Sequence, residues 1–523
     1  MSKELIRDNI VLDKKMGKEN TQILLEGDII VPDIKPDMSV ILQSDSDIFI
    51  NNIEISNDRI NFMGRLDITV LYLAKGANKP VHSINVSENI DNFINLEGIT
   101  KDMWADINAT INSIDYKMLN DRKINYRAVV DISVVSESHE YHEVVIDVED
   151  IPQNQTLKKN LEINKSIENT IDRFIVKDEL SIPLGKPGIR EVLQCTISVN
   201  NKESKVLNGK VNISGQLLVT VLYKGDDDSS MVEFIENEIP FNGVVDSLNA
   251  KDYMFADTIL NIEDKFVQIK TDIDGEDRIL EIETTVFAVI KVSHQESIEI
   301  LEDAYIINND LKITKMPVKY SQLVCRNKNQ TTFKEIVQTE QDSPEMLQIY
   351  RITGKPHLET VKPLGDKIMV EGIIEANILY VAESDDAPLY SYNTTIPYQQ
   401  VIETKGTTPD MDVNVSANID HVGFNMLSGK EVEVRFLLSF NTQVNEQKEL
   451  NMITDIEIEE MTPEYLNSFA SVTVYCVQKG DTLWKIAKRY NTSIEEIIEM
   501  NNLAGDEKLT TGAKIILLKK VVN

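Results

Sequence analysis

Cysteine is scarce: Cys195, Cys325 and Cys476 are the three in 523 residues. They are too few and too scattered for a disulfide framework or a zinc site. No run of about 18 apolar residues occurs, so no transmembrane helix is expected. The first residues, MSKELIRDNIVLDKKMGKEN, hold basic side chains but no apolar core or small-residue cleavage site. The expectation is a soluble protein of a reducing cytosol. Positive charge is also short, with 53 Lys and Arg against 86 Asp and Glu and a formal net charge of −33. Such a field repels nucleic acid and anionic membranes, so neither is an expected partner.

Catalytic motifs are missing too. There is no Gly-rich phosphate loop ending in Lys-Ser/Thr and no Gly-x-Ser-x-Gly elbow. HEYH, His139 to His142, has the wrong spacing for a helical zinc pair, which needs ligands four apart. GDDDSS, Gly225 to Ser230, lacks the glycine and distal glutamate of a calcium loop and reads as a hairpin turn. An enzyme would need a clustered set of polar residues, which the sequence does not show. No metal or cofactor is implied.

What the chain does contain is repetition. GRLDITVLY (Gly64 to Tyr72), GQLLVTVLY (Gly215 to Tyr223) and GIIEANILY (Gly372 to Tyr380) share one pattern, at intervals of 151 and 157 residues. Upstream, KPDMSVILQ (Lys35 to Gln43) faces KPGIREVLQ (Lys186 to Gln194), and the third copy keeps SPEMLQ (Ser343 to Gln348). Downstream, NEIPF (Asn237 to Phe241) faces TTIPY (Thr394 to Tyr398). The interval is far beyond a solenoid repeat and matches a whole domain. Runs such as LLVTVLY and EVEVRFLLSF are rich in β-branched and aromatic residues, with turn signals between them.

The fold expected is mainly β: three homologous antiparallel β-sandwich-like domains over 1–160, 161–305 and 306–450, an acidic linker over 451–470, and a small α+β module over 471–523. Short helices are expected near KDMW (Lys101 to Trp104) and TLKKNLEINKSIENTIDRF (Thr156 to Phe174). The repeat tyrosines, at the ends of apolar strands, are expected at the edge of each core. Trp104 is expected in the core.

From Thr473 the style changes. TVYCVQKG reads as a short strand ending at Gly480, and Asp481 or Thr482 can cap a helix. Leu483, Ile486, Ala487 and Tyr490 then fall on one helical face. SIEE, Ser493 to Glu496, has the form of a capping box, and TTGAKIILL closes with a turn and a strand. The order is β-α-α-β. Residues 471–523 hold eight basic and six acidic residues, a net of +2 that leaves −35 elsewhere. An opposite charge suits docking on an acidic surface.

This segment resembles the LysM family, through Tyr475, Gly480, Asp481, Thr482, Leu483, Ile486, Tyr490, Asn501, Gly512 and Ile515 among others. One departure is Thr511, where the family usually has a proline before the glycine. The resemblance implies a shallow groove for N-acetylglucosamine polymers such as peptidoglycan, lined by Gly480, Asp481, Thr482 and Leu483 and by Asn502, Leu503 and Ala504. Trp484 and Lys485, if exposed on the first helix, are natural contact residues for a protein.

Tandem acidic β domains followed by one LysM resemble the SipL-like family of clostridial spore-coat morphogenetic proteins. That resemblance implies a non-enzymatic scaffold in spore coat assembly. It would act in the mother-cell cytoplasm at the forespore surface. Its LysM would dock on the coat base ATPase, stage IV sporulation protein A, and its β domains would reach other coat proteins. The alternative is a peptidoglycan-binding protein of the cell wall or spore cortex.

Overall fold

The computed structural model describes residues 4–76, 81–149, 153–226, 232–383, 389–462, 464, 470–503 and 509–518. Most of GDDDSS, and Ala504, lie outside them. Six strands are written three times. The first copy is β1 (Glu4–Ile30), β2 (Met38–Ser56), β3 (Arg59–Ala74), β4 (Val81–Asn95), β5 (Trp104–Asn120) and β6 (Lys123–Glu149). The second is β7 (Asn154–Ser181), β8 (Ile189–Leu207), β9 (Lys210–Gly225), β10 (Val232–Asp246), β11 (Phe255–Thr271) and β12 (Asp277–Ile306). The third is β13 (Asn309–Gln338), β14 (Met346–Pro363), β15 (Lys367–Ala382), β16 (Leu389–Glu403), β17 (Asp412–Met426) and β18 (Glu431–Glu460).

In each copy the middle three strands form an antiparallel meander, β2-β3-β4 in the first. It packs on a sheet of the other three, β1-β6-β5. Strict alternation builds these faces: Val432, Val434, Phe436, Leu438 and Phe440 of β18 are all fully buried. Each copy closes its own core in this way.

The repeated Gly-to-Tyr pattern has a physical reason at both ends. Gly64, Gly215 and Gly372 each sit beside a bulge in the neighbouring strand. A Cβ on Gly64 or Gly372 would strike the carbonyl oxygen of Phe49 or His357, and one on Gly215 would meet the Phe241 ring at 2.8 Å. At the other end, Tyr72, Tyr223 and Tyr380 are completely buried. Their hydroxyls donate to the carbonyls of Pro36, Pro187 and Pro344 at 3.0, 3.2 and 3.0 Å. The bond ties each meander to the KPD, KPG or SPE loop before it and satisfies a buried donor.

Pairing also corrects one match. Gln43 lies opposite Leu71 and Gln194 opposite Leu222, but Arg351 lies opposite Leu379, so Arg351 and not Gln348 takes the glutamine's place. Each of the three side chains reaches into another copy. Arg351 donates to Gln194 Oε1 at 3.3 Å and Thr196 Oγ1 at 3.2 Å; Gln194 donates to Asp45 at 3.3 Å, and Gln43 to Asn377 at 3.3 Å. Beside this polar layer is an apolar one, with Leu71, Leu222 and Leu379 from the three copies.

The first and last strands of each copy are long and pair along their whole length as ribbons. Their far halves leave the sandwiches and pack on each other. Ile10, Val144, Leu161, Ile300, Val318 and Met452 come from six different strands and share one cluster. Val145, Leu301 and Ile453, then Val148, Ala304 and Ile456, form a second at equivalent positions.

Four expectations fail here. Thr156 to Phe174, where a helix is expected, lie within the strand β7. Ile163, Ile167 and Ile171 have helical spacing, but pairing with β12 over its full length overrides it. KDMW is a turn leading into β5, and Trp104 is half-buried on that strand. Residues 451–460, read as linker, continue β18 against β13, because ITDIEIE alternates as a strand does.

Gly372→Ala should lower stability by about 1–3 kcal/mol, the usual range for overpacking. A fall in the thermal unfolding midpoint checks this; an unchanged midpoint would show that the bulge can open.

Candidate functional site

The module after the third copy is β19 (Val472–Cys476), α1 (Leu483–Tyr490), α2 (Ile494–Asn501) and β20 (Lys514–Leu518). Strands β19 and β20 pair antiparallel. Thr482 caps α1, its hydroxyl accepting from the Lys485 amide, and Ser493 caps α2 by accepting from Glu496. Asn491 and Asn502 end the helices in the left-handed region, which asparagine tolerates. Asn501 fastens α2 to β20 by bonding both the amide and the carbonyl of Ile516, at 2.6 and 2.8 Å.

The loop before α1 is held by Asp481. Its carboxylate accepts from the Tyr475 hydroxyl at 2.7 Å and the Gln478 amide at 2.8 Å. These bonds, Tyr475's first, hold the carboxyl below its ordinary range. Gly480 turns the chain at φ +87°. Lys485 folds back so that its ammonium donates to the Gly480 carbonyl at 3.1 Å. Gly480, Thr482, Lys485 and Asn502 are exposed, while Leu483 and Leu503 are half-buried against the module's core. The proposed lining residues therefore divide into a polar loop and two core edges.

Trp484 behaves otherwise than expected. It is 9% exposed, because a second body covers it. Its ring meets Tyr305 edge-on at 5.0 Å, and its Nε1 donates to Asp303 at 2.9 Å. Lys488 donates to the other oxygen of Asp303 at 2.6 Å. Tyr305 donates to the Thr492 carbonyl at 2.8 Å, and Asn308 and Asn491 bond each other reciprocally at 3.0 and 3.2 Å. Leu157 and Ile307 join the same cluster. The module is thus seated on the turn between β12 and β13, instead of swinging on a linker.

Composition explains the choice of seat. Tyr305-Ile306-Ile307 is apolar, whereas the third ribbon has Glu457-Ile458-Glu459 at the equivalent place. Sequence reasoning missed Asp303, Tyr305 and Asn308; the signal was this apolar tip on an otherwise acidic chain. Burial alone would raise the Asp303 carboxyl, but the bonds from Lys488 and Trp484 outweigh it and hold it below the ordinary range. Burial, then the charges of Glu495 and Glu496, push Tyr305 well up, so it stays a donor. Among the described residues no metal-ligating cluster occurs, and no helix is long and apolar enough to cross a membrane.

Ionised Asp303 favours the seated form, so its contribution is complete at neutral pH. It is lost as pH falls below about 4 and through the depressed value. Asp303→Asn should weaken seating by about 1.5–3 kcal/mol at pH 7, as expected for charge-assisted bonds, and should flatten the acid transition. Emission of Trp484 in a Trp104→Phe chain reports both. An acid transition identical in the two proteins would assign it to other groups.

Comparison with known proteins adds three findings. Residues 37–119, 188–270 and 345–427 each match the SipL, SPOCS domain family, and residues 475–517 match the LysM domain. The uncharacterized protein YkzQ of Bacillus subtilis (strain 168) is 38% identical over 45 residues, spanning 9% of this chain and 60% of that protein. No solved structure matches.

Proposed function

The chain is a SipL-like, sporulation-related LysM protein, three SPOCS domains and a C-terminal LysM domain, and from that we propose a scaffold in spore coat assembly. SPOCS and LysM are non-catalytic domain types, so the role is to hold proteins together. In this reading the protein works in the mother-cell cytoplasm at the forespore surface. Its LysM docks on the coat base ATPase, stage IV sporulation protein A, and the SPOCS domains reach other coat proteins.

The observation that carries the reading is the seated module. A LysM fixed on a large acidic body presents one face at a set orientation, as a connector requires, and that face bears the exposed Lys485 and the Gly480–Thr482 loop. Trp484, engaged by Tyr305 and Asp303, supports the presentation and leaves the contact to its neighbours. The net +2 of the module against −35 elsewhere favours an acidic partner surface.

A second reading has its own support, the LysM match itself. The groove beside Gly480, Asp481, Thr482 and Leu483, with Asn502 and Leu503, would then hold peptidoglycan.

Immobilised full-length protein, offered the purified ATPase and insoluble peptidoglycan in parallel, separates the two. The scaffold reading expects retention of the ATPase, weakened about tenfold by Lys485→Ala, the effect of a 1.4 kcal/mol contact. Retention of peptidoglycan without the ATPase would return the module to glycan binding.

A further inference from the structure

Away from the LysM module, the first and second copies leave a cleft of about 530 Å³ between them. One wall is the outer face of the second copy's ribbon sheet. There Ile171, Phe287, Val289 and Ile259 lie side by side on three paired strands. Ile171 and Ile259 are 45% and 51% exposed, so this apolar face is left uncovered. Phe287 closes the floor against Phe49, ring to edge at 5.3 Å.

The opposite wall is built differently. Four consecutive residues of β2, Ile50 to Ile53, and four of β5, Trp104 to Ile107, line it. Side chains alternate along a strand, so a run of neighbours can face a cleft only if the strand's backbone edge does. Both strands are outermost in their sheets, and among the described residues no strand pairs with the outer edge of β5. Its free N–H and C=O groups are a template for one more strand.

Charge makes the cleft selective. Arg173 is neutralised by Glu263 at 2.6 Å and lies over the Phe287 ring, and Lys291 is paired with Glu137. That leaves Asp106, whose Oδ1 accepts from Trp104 Nε1 at 2.8 Å. Among the described residues it has no salt-bridge partner. Burial raises its carboxyl above the ordinary range despite the Trp104 bond and the nearby Lys291. A carboxylate in such a setting gains from a cation with an aliphatic stem, which can lie along the isoleucines. The chain's net −33 concentrates such partners.

The geometry points to this cleft as a docking groove for an extended segment of a partner protein, which lays its backbone along β5 and sets an arginine or lysine against Asp106. The inference is independent of what the LysM module holds.

The chain has two tryptophans, so Trp484→Phe leaves Trp104 in the cleft as the sole reporter. The full-length Trp484→Phe protein is titrated with the capped pentapeptide Thr-Val-Arg-Val-Thr. The same peptide with Glu for Arg, and a tetramer of N-acetylglucosamine, serve as comparisons. A saturable change in Trp104 emission is expected with the Arg peptide, at least about tenfold weaker with the Glu peptide. Asp106→Asn should weaken it by a similar factor. Ile259→Arg, which offers the cleft its own guanidinium at an exposed site, should abolish it with the unfolding midpoint unchanged. No saturable response to the Arg peptide, equal affinity for both peptides, or a response to the sugar alone would overturn the assignment.

Discussion

Burial of the ribbon ends is the constraint from which the rest follows. The far half of each ribbon is a pair of antiparallel strands with an apolar face, and two such strands alone are at best marginal in water. Three of them have a common solution. Each supplies equivalent residues, Val145, Leu301 and Ile453, to one shared core. Once the ribbons are joined, the sandwiches are brought together at their other ends. There Leu71, Leu222 and Leu379 meet as a second apolar centre. The copies are therefore tied at two separated places, which removes the freedom expected of beads on a string.

The LysM seat is a consequence of small differences among equal parts. Asp147, Asp303 and Asp455 occupy equivalent positions beside equivalent bulges. Asp147 is taken by Lys158 at 2.8 Å and Asp455 by Arg7 at 2.7 Å, both from neighbouring ribbons. Among the described residues Asp303 has no such ion-pair partner on a neighbouring ribbon and turns to Lys488 and Trp484 instead. With Tyr305 and Ile307 beside it, one ribbon end of three can bury an indole.

Much of the fold was legible. Period-two alternation in stretches such as EVEVRF, the recurring Gly-to-Tyr motif and the capped helices of the LysM module all rest on local physics, and local physics is written in adjacent residues. The polar turn stretches LNDRK, DGED and LSGK lie between the last two strands of each copy. What was not legible depended on distant partners. Helical spacing around Ile163 gave way to a strand partner more than a hundred residues away. Trp484 looked like a surface contact until Tyr305 covered it. The glycine turn at Gly480 and the helix cap at Thr482 were legible, because both are local. The register that puts Arg351 in place of a glutamine could not be found from spacing, since bulges shift it.

That arginine gives the ring of copies a direction. Around it, in a buried setting, stand Asp45 and Asp47 from the first copy and Glu236 from the second. Three identical sectors could close in any order, or borrow a sector from a neighbouring chain. A third copy in the wrong place would bring a guanidinium to a junction without its carboxylates, and two third copies meeting would set like charges together. One substitution in a threefold pattern thus favours closure of the three sectors within one chain, in one order.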